Sequence, residues 1–248
     1  MNIKKYNTKL LLTIILTVLS AGIITGCGSS GAGGDGDPLN EGVFIILIEQ
    51  NFDGLPNSGS SPLSFTAYLP EWSFLTQGSL GVNFFVQIAQ LTQTAAGGFY
   101  SLGLSGSTNR SLGMLPTGNS ANMRFGFSFT NNTGFTLSDL VLSYTGEQWR
   151  GGNTNSLTVD VSTTSNDISA LTGWTRIDVL DFSSSPGNLI NFPLDGKADE
   201  NRKHISASLG ISLAPNETLC VRWTHTGAMN SPCLAIDDLK ITAIMNSK

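Results

Sequence analysis

The sequence predicts an all-β protein, an antiparallel two-sheet sandwich of the jelly-roll type. Three observations carry this prediction. Apolar and polar residues alternate along most of the chain after residue 41, as they do in strands that bury one face and expose the other. Short clusters of glycine, asparagine, serine and proline separate these stretches. No stretch has a sustained helical period of apolar residues, so an α/β enzyme core is not expected.

The alternation is clearest in the second half of the chain. From Met123 to Phe129 every second residue is methionine or phenylalanine, and the residues between them are polar or glycine. The same period recurs over 157–161, 205–213 and 219–224. Less regular apolar stretches predict the other strands. The full set, about ten strands, is 43–48, 84–91, 99–104, 123–129, 137–144, 157–161, 174–182, 205–213, 219–224 and 234–243.

Turn-forming clusters mark the ends of several predicted strands. They lie at 131–134, 151–153 and 185–188, where asparagine, glycine, serine and proline concentrate. The strands between them predict one sandwich domain over 41–244. A domain of about 200 residues can bury a core without help from metals or disulfides.

The first 26 residues have the composition of a secretory signal. Lys4, Lys5 and Lys9 precede an apolar run over 10–24, and small residues follow it. An uncleaved membrane helix is the alternative, but a span needs about 20 apolar residues and this run is shorter. We therefore expect residues 1–26 to be removed on export.

The apolar run ends in Ile24-Thr-Gly-Cys27, which resembles the lipobox of bacterial lipoproteins. The resemblance implies that Cys27 carries a diacylglycerol on its sulfur, usually with a third acyl chain on its amino group. Two or more chains anchor a protein stably to a membrane. Gly28 stands where many inner-membrane lipoproteins have Asp, which favours the outer membrane or the cell surface but leaves the inner membrane open. The Gly/Ser-rich segment 27–40 is typical of a flexible tether.

The charge balance excludes one class of partner. The whole chain has a formal net charge of −5, and the part that follows the signal is more acidic because the signal carries lysines but no acids. Phosphate contacts need cationic groups, and no Lys/Arg run is present to supply them. Nucleic acid is therefore not an expected partner.

Two cysteines remain once Cys27 is acylated. Cys220 and Cys233 flank a predicted hairpin, and an exported protein meets an oxidising environment. We therefore expect a disulfide between them, with two buried free thiols as the alternative.

Five phrases resemble a secreted bacterial β-sandwich domain that has no established activity. The resemblance covers about 49–243 and implies the fold and an exported location only. The phrases, in chain order, are Arg110-Ser-Leu-Gly113, Asn131-Asn-Thr-Gly134, Tyr144-Thr-Gly-Glu-Gln-Trp-Arg150, Arg222-Trp-Thr224 and Ala235-Ile-Asp-Asp-Leu239.

More broadly, Asn51-Phe-Asp-Gly54 together with Ile236-Asp-Asp238 resembles carbohydrate-binding and MAM-type jelly rolls. In those folds acids on the first and last strands can hold a structural calcium. The resemblance implies a Ca²⁺ site whose candidate ligands are Glu49, Asp53, Asp237 and Asp238. Pairing with an arginine, or hydrogen bonds from the backbone, is the alternative for the acid that points to the apolar side.

The phrase from Tyr144 to Arg150 contains the candidate ligand site. Glu147, Trp149 and Arg150 follow a predicted strand at a glycine-rich loop, which is a common place for a binding site. One interpretation is sugar recognition, in which Trp149 stacks on the ring and the two charged residues bind hydroxyls. The other is structural, with Trp149 in the core and Arg150 paired to an acid such as Glu147.

No catalytic motif accompanies this site. The chain has no G-x-S-x-G elbow, and its two histidines, His204 and His225, do not have metal-binding spacing. We therefore expect a lipid-anchored, non-catalytic module that binds a glycan or another surface polymer. The alternative is a structural or assembly lipoprotein that acts through protein contacts, and a hydrolase has the least support.

Overall fold

The fold is described from a computed structural model. The described residues are 42–58, 64, 67–76, 79–80, 84–87, 95–118, 121–185, 191–227 and 229–246. The predicted signal peptide, Cys27 and the tether lie outside them. Among the described residues, no helix has the length and apolar character needed to cross a bilayer.

The regular secondary structure of the described chain consists of strands and two short 3-10 turns at Asp178–Leu180 and Asp199–Asn201. The strands are β1 Val43–Gln50, β2 Trp72–Thr76, β3 Ser79–Leu80, β4 Phe84–Gln87, β5 Gly98–Leu102, β6 Ser111–Leu115, β7 Asn122–Thr130, β8 Thr136–Arg150, β9 Ser156–Ser162, β10 Thr175–Arg176, β11 Phe182–Ser183, β12 Arg202–Ser208, β13 Thr218–Thr226 and β14 Cys233–Asn246.

The strands form two sheets. In sheet A the order is β12-β8-β14-β6-β5-β4, and β1 also pairs with β14. In sheet B the order is β10-β9-β13-β7-β2-β3, and β11 also pairs with β9. Described pairs are antiparallel except that of β4 with β5. This arrangement confirms the predicted class, an all-β antiparallel sandwich of the jelly-roll type.

The inner faces of the two sheets bury a continuous core that is rich in aromatic side chains. At its centre, Trp223 of β13 is fully buried. Its ring centroid lies 5.7 Å from those of both Phe125 and Tyr144, and 6.1 Å from that of Trp72. The regular alternation in β7 and β13 places these rings inward, because the two strands pair in register along their whole length.

Strand β14 organises sheet A. It pairs with β8 along its length, and its other edge is shared by β6, at 234–236, and β1, at 239–245. Its register shifts between Asp237 and Lys240, where Asp238 adopts a positive φ of 48°. This irregularity reverses the alternation, so that Ile236 and Leu239 both face the core.

Several strand predictions need correction. Strand β8 continues to Arg150, so the predicted loop residues Glu147 and Trp149 lie within a strand. The predicted strand 174–182 consists only of β10 and β11, which flank a 3-10 turn. Strands β2, β3 and β6 were not predicted. Strand β6 is buried at every position, so it lacks the alternation from which a strand is inferred.

The predicted disulfide is wrong. Cys220 and Cys233 are both buried and free. The expected hairpin does not form, because β13 belongs to sheet B and the next strand, β14, belongs to sheet A. Cys220 is also six residues before the end of β13, which places it about 20 Å along the strand from the connection that leads to Cys233. The alternative of two buried thiols is correct, and burial raises the pKa of both.

Candidate functional site

The end of β8 carries the predicted ligand site on the outer face of sheet A. The side chains of Glu147, Trp149 and Arg150 are only 0%, 3% and 5% exposed. Trp149 belongs to a second apolar cluster, called here the Tyr100 cluster. Its members are Tyr100, Leu102, Leu115, Trp149, Cys233 and Ala235.

The segment 191–201 covers this part of sheet A. It runs beside the end of β8, where the amide of Leu194 donates to the carbonyl of Trp149 at 3.0 Å. A Cβ atom added to Gly196 would lie 2.3 Å from the indole of Trp149, so this close approach requires glycine. The ring therefore packs under a segment of the chain and does not form an exposed platform.

Beneath the same segment lies a buried group of polar side chains, called here the Lys197 cluster: Ser111, Glu147, Lys197 and Asp237. The ammonium of Lys197 lies 2.7 Å from Asp237 Oδ2, 3.1 Å from Glu147 Oε1 and 2.9 Å from Ser111 Oγ. Glu147 Oε2 accepts hydrogen bonds from Ser111 Oγ at 2.6 Å and from the indole nitrogen of Trp149 at 2.9 Å. One lysine thus attaches the covering segment to two carboxylates on neighbouring strands.

These contacts favour the structural interpretation of the phrase at 144–150, although with different partners from those expected. Lys197, which the sequence analysis did not consider, is the cation that meets Glu147. Arg150 instead donates from Nη1 to the carbonyl of Ser231 at 3.1 Å, and so ties β8 to the connection before β14. A sugar could reach Trp149 only if 191–201 were displaced, so this burial counts against a sugar site here.

The four candidate calcium ligands do not come together. Glu49 pairs with Lys240 at 2.8 Å, and Asp53 Oδ1 accepts from the amide of Arg110. The irregularity in β14 turns Asp237 towards Lys197 and leaves Asp238 exposed. Within the described ranges, no three His, Cys, Asp or Glu side chains are arranged to hold a metal ion. The calcium prediction is therefore wrong for these residues.

Asp237 is the member of the Lys197 cluster that responds to pH. Burial raises the pKa of its carboxyl, Lys197 lowers it and the nearby Glu147 carboxylate raises it, and the resulting pKa is about 6. In the unfolded chain the same group ionises near pH 3.8. Between these values the folded protein holds a proton that the unfolded chain has lost. This group therefore makes the fold less stable as pH rises from about 4 to about 6.

Asp237→Asn should remove this dependence. The free energy of unfolding of the variant, minus that of the natural protein, is expected to increase from pH 4 to pH 6 and to level off above about pH 7. Urea denaturation at a series of pH values measures it. Burial lowers the pKa of His225 to about 3, which destabilises both proteins in acid, and its contribution cancels in the difference. Ser206→Ala, an uncharged change at an exposed site on β12, is the control. A difference that does not vary with pH would contradict the assignment.

A second candidate site lies beside Trp174, at the β10 edge of sheet B. It is a depression of about 300 Å³ between the end of β9 and the start of β10. Its lining residues are Val161, Ser162, Thr163, Thr164, Gly173, Trp174, Thr175 and Ile211. Half of these residues carry hydroxyl groups. The sequence analysis missed this site, although a tryptophan between glycine and threonine at a strand end was a signal for it.

Arg222 holds the segment 168–170, which precedes the lining residues Gly173 and Trp174. Its Nη1 donates to the carbonyls of Ile168, at 3.1 Å, and Ala170, at 2.7 Å, while its Nε donates to Asp160 Oδ2 at 3.0 Å. The guanidinium carbon lies 4.1 Å from the centroid of the Trp174 ring. Such stacking of a cation on an aromatic ring is attractive. The position of the ring is therefore set by a buried strand residue.

Two further contacts make the same segment rigid. Arg124 Nη1 donates to the carbonyls of Ile168 and Ser169, each at 3.1 Å. The hydroxyl of Ser162 donates to the carbonyl of Gly173 at 2.6 Å and accepts from the amide of Ser165 at 2.8 Å. Thr163 and Thr175, by contrast, are exposed at the depression.

Comparison with known proteins adds little to this description. No protein-family model matches the chain, and no curated protein matches it. Among solved structures, a cleaved adhesin domain of Lys-gingipain from Porphyromonas gingivalis is similar, with 13% identity, a TM-score of 0.45 and coverage of 80% of this chain and 99% of that one.

Two carbohydrate-binding modules are similar to a comparable degree. A xylan-binding domain of family 22 has 10% identity and a TM-score of 0.41, and the match covers 82% of this chain and 97% of that one. A mannan-recognising module has 14% identity and a TM-score of 0.41, with coverage of 81% and 98%. At these values the similarities say nothing about the ligand of this chain.

Proposed function

We propose that the protein is an exported, lipid-anchored and non-catalytic module that binds a neutral glycan at the depression beside Trp174. The observation that carries the glycan proposal is the combination, in one depression, of a partly exposed tryptophan with several hydroxyl side chains. A flat aromatic ring suits the apolar face of a sugar ring, and hydroxyl groups suit its polar edge.

The rigidity of the site supports this role. Arg222 and Arg124 hold the segment 168–170, and Ser162 holds Gly173. A site that is ordered before binding loses less conformational entropy when the ligand arrives. The net acidity of the chain disfavours polyanionic ligands, which is why the proposed glycan is neutral.

The anchor rests on the chain's first residues. The basic start, the apolar run and Ile24-Thr-Gly-Cys27 support export and acylation of Cys27. An anchored module with no catalytic group would hold a surface polymer at the membrane to which it is attached.

Trp174→Ala should weaken glycan binding at least tenfold, equivalent to about 1.4 kcal/mol. A glycan array with the chain 28–248 identifies the ligand, and titration calorimetry then measures its affinity for both proteins. Leu171→Ala is the matched control, since this side chain lies in the same segment, is 84% exposed and does not line the depression. Equal losses for both variants, or no binding to any neutral glycan, would reject the proposed site.

A further inference from the structure

The outer face of sheet A is apolar at the end where the described chain begins. We call this patch the Phe44 strip: Phe44 and Ile46 of β1, Ile244 of β14 and Val141 of β8. Ile46, Ile244 and Val141 are each flanked in sequence by residues that belong to the core or pack against it, so they point away from it. Phe44 lies opposite Ile244 and next to the core residue Ile45.

The register makes the strip continuous. Phe44 lies opposite Ile244, and Ile46 lies opposite Thr242, which in turn lies opposite Val141. Residues directly opposite on antiparallel strands have side chains about 5 Å apart, so the four apolar side chains form one surface across three strands.

Solvent reaches this surface. Phe44 is 59% exposed, and the other three members of the Phe44 strip are partly exposed. At the edge of the same end, Val43 and Phe135 are also exposed, at 44% and 37%. The segment 191–201, which covers the Tyr100 cluster near the other end of this sheet, does not bury Phe44. An exposed apolar patch of this kind on a sheet is typical of an interaction surface.

The position of the proposed anchor favours a membrane as the surface that covers the strip. The described chain begins at Gly42, directly before β1, and the proposed acylation site is Cys27. The intervening residues 28–41 span at most about 50 Å even when fully extended. The end of the sandwich that carries Phe44 is therefore the end to which the tether is attached, and it lies within reach of the bilayer.

We infer that the Phe44 strip rests on the lipid bilayer, with Phe44 inserted into its interfacial layer. This inference rests on the proposed lipid anchor. The anchor already holds the domain at the membrane, so contact between the Phe44 strip and lipid is intramolecular. A small apolar surface is then sufficient to orient the domain. Of the charged side chains on the three strands of the strip, Glu49 and Lys240 neutralise each other at 2.8 Å, and Asp139 is an exposed acid next to Ser138, the residue opposite Ile244. The net acidity of the chain makes a neutral bilayer the better surface.

This orientation has a consequence for ligand binding. Sheets A and B form opposite layers of the sandwich, and the Trp174 depression lies at the β10 edge of sheet B. When sheet A rests on lipid, the depression belongs to the sheet that does not contact the membrane.

The test uses the full chain, expressed with its signal and reconstituted in phosphatidylcholine vesicles. A fluorophore on Phe44→Cys should be quenched by aqueous iodide at least threefold less efficiently in vesicles than in the unacylated chain 28–248 carrying the same label. Leu171→Cys, on the sheet B side, is the matched control and should be quenched equally in both. Acylation blocks Cys27 and burial protects the other two thiols, so the label is specific.

Three other outcomes would overturn the inference, and they can be told apart. Equal quenching of the Phe44→Cys label in vesicles and in the unacylated chain, for protein whose acylation is confirmed by mass spectrometry, leaves the anchor in place and rejects the membrane-facing strip. Protection at Phe44→Cys without vesicles shows that another protein copy covers the strip. An unmodified Cys27 rejects the anchor itself. Vesicles containing phosphatidylserine should protect the label less than neutral ones, since the chain is acidic.

Discussion

Lys197→Ala is expected to lower the free energy of unfolding by about 3–5 kcal/mol. The variant leaves Glu147 and Asp237 buried without the ammonium that lies within 3.1 Å of both. Removing one partner of a buried ion pair is costly because the remaining charge is neither hydrated nor neutralised. The segment 191–201 also loses its attachment to sheet A, so amide hydrogen exchange there should accelerate.

Urea denaturation at pH 7.5 measures this effect. Lys203→Ala is the matched control, because Lys203 is an exposed lysine on β12, and we expect a change within about 0.5 kcal/mol. The double variant Lys197→Ala, Asp237→Asn should recover part of the loss, since only one buried carboxylate remains. A loss below about 1 kcal/mol for Lys197→Ala would contradict the role of the Lys197 cluster.

Trp223→Ala is expected to lower the free energy of unfolding by about 3–5 kcal/mol. Trp223 is fully buried at the centre of the core, and its ring contacts aromatic side chains from both sheets. Its truncation removes these contacts and leaves a cavity that rigid strands cannot close.

Thermal and urea unfolding followed by far-ultraviolet circular dichroism measure this change. Trp174→Ala is the control for loss of a tryptophan, because Trp174 is only partly buried at the edge of sheet B. The destabilisation by Trp223→Ala should clearly exceed that by the control. Equal losses would show that the central position of Trp223 does not determine its contribution.

The sequence predicted most clearly the strands in which apolar residues of the core alternate with more polar residues on the other face. In β7 and β13 every second residue enters the core, so their period is visible in the sequence. Strand β6 and the end of β8 were missed because both of their faces are buried, one by the core and the other by the Tyr100 cluster or the segment 191–201. Burial on both faces removes the alternation.

Local sequence also did not predict the burial of the candidate site at the end of β8. The sequence directed attention to Glu147 and Trp149 because charged and aromatic residues meet there. Their burial depends on Gly196 and Lys197, about fifty residues later in the chain, and no local pattern indicates that this segment folds over them. The calcium ligands failed for a related reason, since the irregularity in β14 separates Asp237 from Asp238.

By itself, the sequence determined the all-β class, the inward faces of the alternating strands and the expectation of a lipid anchor at Cys27, since each depends on short-range order along the chain. Only the tertiary structure decided which sheet each strand joins, and therefore that Cys220 and Cys233 cannot pair. It also decided that Glu147 and Trp149 are covered while Trp174 and Phe44 are partly exposed. These properties depend on contacts between residues far apart in sequence, which local periodicity does not encode.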